Sequence, residues 1–244
     1  MASDAAVVTG HSRGIGEAIA DQLLGRGIRV LGVARNENAE LAARYPDLLT
    51  QVRLDLSNAA ALTTWLESET LAKHLSGADR RLLVNNAGVL KPLAPLEHQD
   101  VAEVIRAITV NVAAVLALSA AFAKETNDGR ERRILHISSG AGRKGYAGWS
   151  MYCASKAALD NHARAVALDK SPGLRICALA PGVIETEMQV QIRASSDEYV
   201  PDRHRFVTMK QQGQLVSPAD AGRKVVDLLL SDDFGREPIA ELKH

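Results

Sequence analysis

Short apolar runs alternate with longer segments of helical periodicity along almost the whole chain, and this alternation constrains the fold more than any other feature. The apolar runs fall near residues 5–9, 28–34, 50–54, 81–84, 132–138 and 174–180, and the helix-period segments near 14–26, 58–75, 98–127 and 151–170. A further helix is expected at 217–230, and Pro238-Ile239-Ala240 offers a last short strand. Strands joined by helices in this way run parallel, with right-handed crossovers. The expected fold is therefore α/β, a doubly wound parallel sheet of Rossmann type flanked by helices on both faces. A single domain is expected to span 1–244, with its ligand at the carboxyl ends of the strands. The 244 residues suffice for a large core.

Three local patterns carry chemistry. Ala5-Ala6-Val7-Val8-Thr9 runs into Gly10-His11-Ser12-Arg13-Gly14-Ile15-Gly16 and then into the helical pattern Ile19, Leu23, Leu24. Strand, glycine turn and helix in that order suit a pyrophosphate, because glycines admit close backbone approach and the helix start offers free N–H groups and a positive dipole end. The glycine spacing differs from G-x-G-x-x-G, with three residues between the first two glycines. Tyr152 and Lys156 stand four residues apart on a helix, so both project from one face. An ammonium beside a phenol is expected to lower the tyrosine pKa from about 10 toward the range of acid–base chemistry. Thirteen residues before Tyr152, Ser139 ends an apolar strand at the turn Gly140-Ala141-Gly142, where a hydroxyl can face a cleft.

These patterns, together with Asn85-Asn86-Ala87-Gly88, Asn111 and Pro181-Gly182-Val183-Ile184-Glu185-Thr186, occur in the order of one family. From about residue 10 to about 230 the chain resembles the short-chain dehydrogenases/reductases. The resemblance implies that Ser139 holds a substrate carbonyl oxygen, that Tyr152 protonates it, and that Lys156 tunes Tyr152 and binds the nicotinamide ribose. It implies that the backbone of Asn111 supports a water through which Lys156 is reprotonated, with Ser138 as the competitor of Ser139. The cofactor would lie along Gly10, Ser12, Arg13, Gly14, Ile15 and Gly16, with Asp55 and Leu56 at the adenine. Asn86, Ala87, Gly88, Pro181 and Gly182 would line its path, and Ile184 and Thr186 would hold the carboxamide. The span 185–215, polar and irregular with Pro201 inside it, resembles the family's substrate lid.

The second strand ends at Ala34 without a carboxylate for a free ribose 2′-OH, and Arg35 follows. With Arg13, that guanidinium would attract a 2′-phosphate, so NADP(H) is expected rather than NAD(H). The segment 181–189, Val33-Ala34-Arg35-Asn36 and the run from Phe206 to Val216 resemble the sepiapterin reductase and benzil reductase branch, whose substrates are vicinal dicarbonyls. Glu241, seven residues after Phe234, stands where sepiapterin reductases carry an aspartate that anchors the pterin. Trp149 is expected as an aromatic wall over the substrate or as a packing residue. A 3-oxoacyl thioester or other ketone reductase, an NADP-binding regulator without catalysis, and a purely structural subunit are the alternatives.

Charge and composition narrow the partners. The 29 basic and 29 acidic residues cancel, so neither nucleic acid nor an acidic membrane surface is expected. Cys153 and Cys177 lack metal or redox spacing, and no metal is expected. With no signal-like N-terminus and no apolar stretch approaching a membrane span, a cytoplasmic protein acting on a small carbonyl compound is expected. The Ala- and Val-rich helix from Ile105 to Ala123 is expected to pack a homodimer or homotetramer.

Overall fold

A computed structural model describes residues 4–242. Its centre is a seven-stranded sheet in the order β3-β2-β1-β4-β5-β6-β7, every pair parallel. The strands are β1 (Asp4–Thr9), β2 (Arg29–Ala34), β3 (Leu49–Arg53), β4 (Arg80–Asn85), β5 (Glu131–Ile137), β6 (Leu174–Ala180) and β7 (Ile239–Glu241). Strand order reverses between β1 and β4. Chains leaving these two strands diverge, which opens a crevice at their carboxyl ends.

Both faces of the sheet are covered, which is why its strands read as nearly continuous apolar runs. Alternation along β1 sends Ala6 and Val8 to one face and Ala5 and Val7 to the other. The first face packs on α1 (Gly14–Leu24) and α10 (Pro218–Leu230) through Ile19, Leu23, Val225 and Leu229. The second packs on α3 (Ala59–Leu66), α4 (Thr70–Leu75), α6 (Ala114–Glu125) and α7 (Ser150–Leu168), with Leu62, Leu71, Leu118, Phe122 and Ala163 buried there.

The helices differ from the sequence expectation in three places. The segment 58–75 is two helices, because the Ser68 hydroxyl donates to the Trp65 carbonyl at 2.6 Å and ends α3. The short helix α2 (Ala39–Arg44) lies in what periodicity left as a loop, started by Asn38, whose side chain accepts from Leu41 N–H at 2.9 Å. The segment 185–215 holds α8 (Glu187–Arg193) and α9 (Arg203–Gln211), tied by Glu185 to Arg193 at 2.8 Å and to Lys210 at 3.0 Å. Few of their residues are buried, so apolar periodicity hardly marks them.

The segment 98–127 departs further. After Asp100, which caps Glu103 N–H at 2.8 Å, come α5 (Val101–Ile108), a π-helical turn at Thr109–Ala113, and then α6. Contrary to the sequence expectation, Val101–Glu125 is long and apolar enough to cross a membrane by length and composition, with mean hydropathy 1.9. Its apolar residues divide between two environments. Leu118 and Phe122 fill the core, whereas Val101 and Ile105 are 73% and 63% exposed.

Phe122 is fully buried, so Phe122→Ala should cost about 3–5 kcal/mol of stability. Urea unfolding is expected to show a lower midpoint with an unchanged slope.

Candidate active site

A cavity of about 800 Å³ runs along the carboxyl edge of the sheet from the glycine turn to the lid. Every residue expected at the site lines it except Asn111, which lies behind the wall. At one end the turn after β1 fits tightly under the loop after β4. A methyl group on Gly16 would sit 2.1 Å from the Gly10 carbonyl oxygen and 2.3 Å from Asn86 Nδ2, so only glycine allows this approach. Asn86 Nδ2 donates to Thr9 O at 2.9 Å, and Thr9 Oγ1 accepts from the N–H groups of Asn86 and Ala87, both at 3.0 Å. Buried His11 supports the turn from below through Gln51, at 2.6 Å.

The chain around this end suits a phosphorylated dinucleotide. Bare backbone and the start of α1 face the cavity, and Arg13 and Arg35, both exposed, line its rim. Neither arginine forms an ion pair among the described residues. Asp55 accepts from Ser57 N–H at 2.9 Å and Ser57 Oγ at 2.8 Å, which holds its carboxyl below its ordinary value. Across the cavity Thr186 starts α8 without capping it, and its methyl lies 3.6 Å from where a Gly14 side chain would begin.

Tyr152 and Lys156 project from α7 beneath the turn that follows β5. Lys156 Nζ donates to the Ile137 carbonyl at 2.7 Å and lies 5.5 Å from the centre of the Tyr152 ring. The Tyr152 hydroxyl faces the Ser139 hydroxyl and reaches Met188 Sδ at 3.8 Å. Ser139 Oγ also accepts from Ala141 N–H at 3.2 Å. Ser138 is already committed, donating to Asp160 Oδ1 at 2.5 Å, so of the two serines Ser139 is the one beside the phenol.

Burial overturns the expected lowering of the Tyr152 pKa. Desolvation pushes Tyr152 up to about 12, with Ser139 opposing, and no lowering by Lys156 outweighs it. Desolvation also brings Lys156 down to about 8, with Asp160 opposing. Asn111, 1% exposed within the π-helical turn, uses its side chain as a clamp: Oδ1 accepts from Val89 N–H and Nδ2 donates to Val89 O, both at 2.8 Å. Nδ2 also donates to Ser155 Oγ at 3.2 Å.

The far end of the cavity is aromatic. Trp149 stacks on Phe206 with ring centres 5.7 Å apart, meets Tyr146 at 5.2 Å, and stands edge-on to Tyr152 at 5.9 Å. Trp149 therefore both packs and lines the cavity. Glu241 lies on the rim but is not a free carboxylate, since Arg143 donates to it at 3.0 Å. Sequence reasoning missed Arg143, Tyr146 and Asp160, and gave no role to Met188 or Phe206. For Asp160 a signal existed, because it continues the four-residue spacing of Tyr152 and Lys156.

Comparison with known proteins agrees with this geometry. Residues 4–197 match the short chain dehydrogenase family. A benzil reductase ((S)-benzoin forming) of Bacillus cereus is 34% identical, over 93% of this chain and 94% of its own. A sepiapterin reductase of Meriones unguiculatus is 33% identical, over 93% and 92%. Among solved structures, a short-chain dehydrogenase/reductase from Burkholderia vietnamiensis is 46% identical with a TM-score of 0.73, covering 96% of this chain and 94% of that one. A Beutenbergia cavernae protein described as an NAD(P)-dependent gluconate 5-dehydrogenase, with NADP bound at low occupancy, is 29% identical with a TM-score of 0.83, covering 99% and 95%. The chain belongs to the short-chain dehydrogenase/reductase family of oxidoreductases.

Lys156 titrates at about 8 when folded, below its ordinary 10.5. Between these values the unfolded chain holds the proton and the folded chain does not, so this group makes stability rise with pH across that window. Urea unfolding at both ends of the window should show that rise shrinking by about 3 kcal/mol in Lys156→Met.

Proposed function

We propose that this protein is an NADPH-dependent carbonyl reductase that reduces one carbonyl of a vicinal dicarbonyl compound, with Tyr152 as general acid. The observation that carries the reading is the convergence of the Ser139 and Tyr152 hydroxyls where the glycine-turn end of the cavity meets its aromatic end. When bound, NADPH would supply the hydride. Gly10, Ser12, Arg13, Gly14, Ile15, Gly16 and Arg35 would hold its phosphates, with Asp55 and Leu56 at the adenine. Asn86, Ala87, Gly88, Pro181, Gly182, Ile184 and Thr186 would line the remainder. Arg13 and Arg35, neither in an ion pair among the described residues, and no carboxylate at the end of β2, support NADPH over NADH.

The chain's own chemistry is proton management. Ser139 donates a hydrogen bond to the substrate carbonyl oxygen, and Tyr152 passes its proton to that oxygen as negative charge grows there. A phenol with a pKa near 12 is fully protonated at neutral pH, the form an acid requires. Lys156, cationic below about pH 8, lies close enough to the ring to favour the phenolate as the proton leaves. Asn111 holds Val89 in place through its paired hydrogen bonds, fixing the loop that carries Asn86, Ala87 and Gly88.

Substrate class follows from the lid end. The Tyr146–Trp149–Phe206 stack offers a flat apolar wall to an aromatic or small diketone. A pterin would meet Glu241 as half of an ion pair with Arg143, which favours the diketone over the pterin as substrate. The exposed Val101 and Ile105 on α5 support packing into a homodimer or homotetramer.

An NADPH-oxidation screen of benzil, diacetyl, isatin, sepiapterin and an acetoacetyl thioester tests the reading, with benzil or another diketone expected to turn over fastest. Tyr152→Phe should lower turnover by about a hundredfold to ten-thousandfold while NADPH still binds. Near wild-type reduction by that variant excludes the acid role. Arg35→Ala should weaken NADPH by about tenfold or more and leave NADH nearly unchanged, read by fluorescence titration.

A further inference from the structure

We propose that Asp160 is a positioning residue for the reductase reaction: its buried carboxylate fastens the Ser139 turn to helix α7 and keeps a negative charge behind Lys156. The proposal rests on the reading of Ser139, Tyr152 and Lys156 given above and adds a residue outside that set.

Asp160 is 1% exposed and lies one helical turn beyond Lys156, so Tyr152, Lys156 and Asp160 form one stripe on α7. Its Oδ1 accepts from Ser138 Oγ at 2.5 Å. Its Oδ2 has no hydrogen bond and faces Arg143 Nε at 3.5 Å. Arg143 is held in turn by Glu241 Oε2 at 3.0 Å and by the Ala240 carbonyl at 2.8 Å, both on β7. A chain of charge thus runs from the exposed rim inward to the serine that precedes Ser139.

The turn itself is pressed onto the helix. A methyl group on Gly142 would lie 2.9 Å from the Lys156 carbonyl and 3.0 Å from Asp160 Oδ2. Contact this close leaves the turn little freedom to slide. Alternation at the end of β5 does the rest. With Ser138 drawn toward Asp160, its neighbour Ser139 is left facing Tyr152.

A bolt alone needs no charge. Burying a carboxylate costs several kcal/mol, and an apolar pair would join strand to helix without that cost. What the charge faces is Lys156. The other groups around that ammonium are Tyr152 on its own helix and His136 from β5, which burial keeps neutral with a pKa near 3, whereas Arg143 on the turn faces Asp160. Asp160 is the anion among them, and it opposes the loss of the Lys156 proton. It touches neither substrate nor cofactor, and acts through Ser138 and Lys156.

The test separates the two effects. Asp160→Asn keeps an oxygen for Ser138 but removes the charge, whereas Ser138→Ala removes the bolt and keeps the charge. With whichever carbonyl the wild type reduces, Asp160→Asn should move the alkaline limb of the kcat profile to lower pH by at least about half a unit. Ser138→Ala should lower kcat with the limb unmoved. NMR titration of the ¹⁵N-labelled Lys156 side chain, without substrate or cofactor, reads the same shift directly. It therefore stands even if no carbonyl is reduced and the reductase reading fails. Should Asp160→Asn not fold, Arg143→Gln removes the cation that faces Asp160 and leaves the carboxylate's charge to Lys156, which should move the Lys156 titration to higher pH. An unchanged Lys156 titration in folded Asp160→Asn, or no upward movement in Arg143→Gln, overturns the proposal.

Discussion

Lys156 is 4% exposed, and keeping its ammonium inside a protein demands a hydrogen-bond acceptor, a nearby counter-charge and walls that do not move. Each demand is met by a different part of the fold. The acceptor is the Ile137 carbonyl at the end of β5. The counter-charge is Asp160 on the same helix, and the walls are the Gly140–Gly142 turn and the loop tied down by Asn111. A shift from 10.5 to about 8 corresponds to roughly 3 kcal/mol of unfavourable burial for the charged form. The rest of the molecule, two apolar layers closed over a continuous parallel sheet, supplies the stability that sustains it.

How much of this was legible in the sequence depended on the period of the signal. Strands buried on both faces announce themselves as apolar runs, and the observed strands lie within a residue or so of the expected ones. The glycine turn, Ser139, Tyr152 and Lys156 were legible because their chemistry needs fixed spacings along one strand end or one helix face. Helices lying over polar surface were not. Only Leu41 is buried in α2, and only Phe206 in α9, so neither leaves a stripe to read. The pKa order was misjudged for a related reason. Spacing gives the neighbour of a phenol, but only packing gives the amount of water removed from it, and for Tyr152 desolvation is the larger effect.

Glu241 shows the same limit from another side. It lies on the rim of the cavity, yet its partner lies 98 residues away in sequence and no local pattern points to it. Arg143 belongs to the turn after β5, and β7 docks beside β6, so only the completed sheet brings the two together. Ser139, Tyr152 and Lys156, by contrast, are brought together by one strand end and one helix. That division explains why reaction class reads easily from a chain of this kind and substrate does not.

The π-helical turn at Thr109–Ala113 places one extra residue in a helix that otherwise runs from Val101 to Glu125. An added residue rotates everything before it by about 100° relative to everything after it. The half before the turn can therefore show Val101 and Ile105 to the outside while the half after it buries Leu118 and Phe122 under the sheet. This is a joint between two coordinate frames, one belonging to the molecule's exterior and one to its core, with Asn111 at the pivot. Insertion or loss of a single residue in α6 would rotate Leu118 and Phe122 away from the core. At this joint it would turn the outward apolar stripe and the Val89 clamp together, so any change in what the exterior contacts is geometrically coupled to the loop beside the glycine-turn end of the cavity.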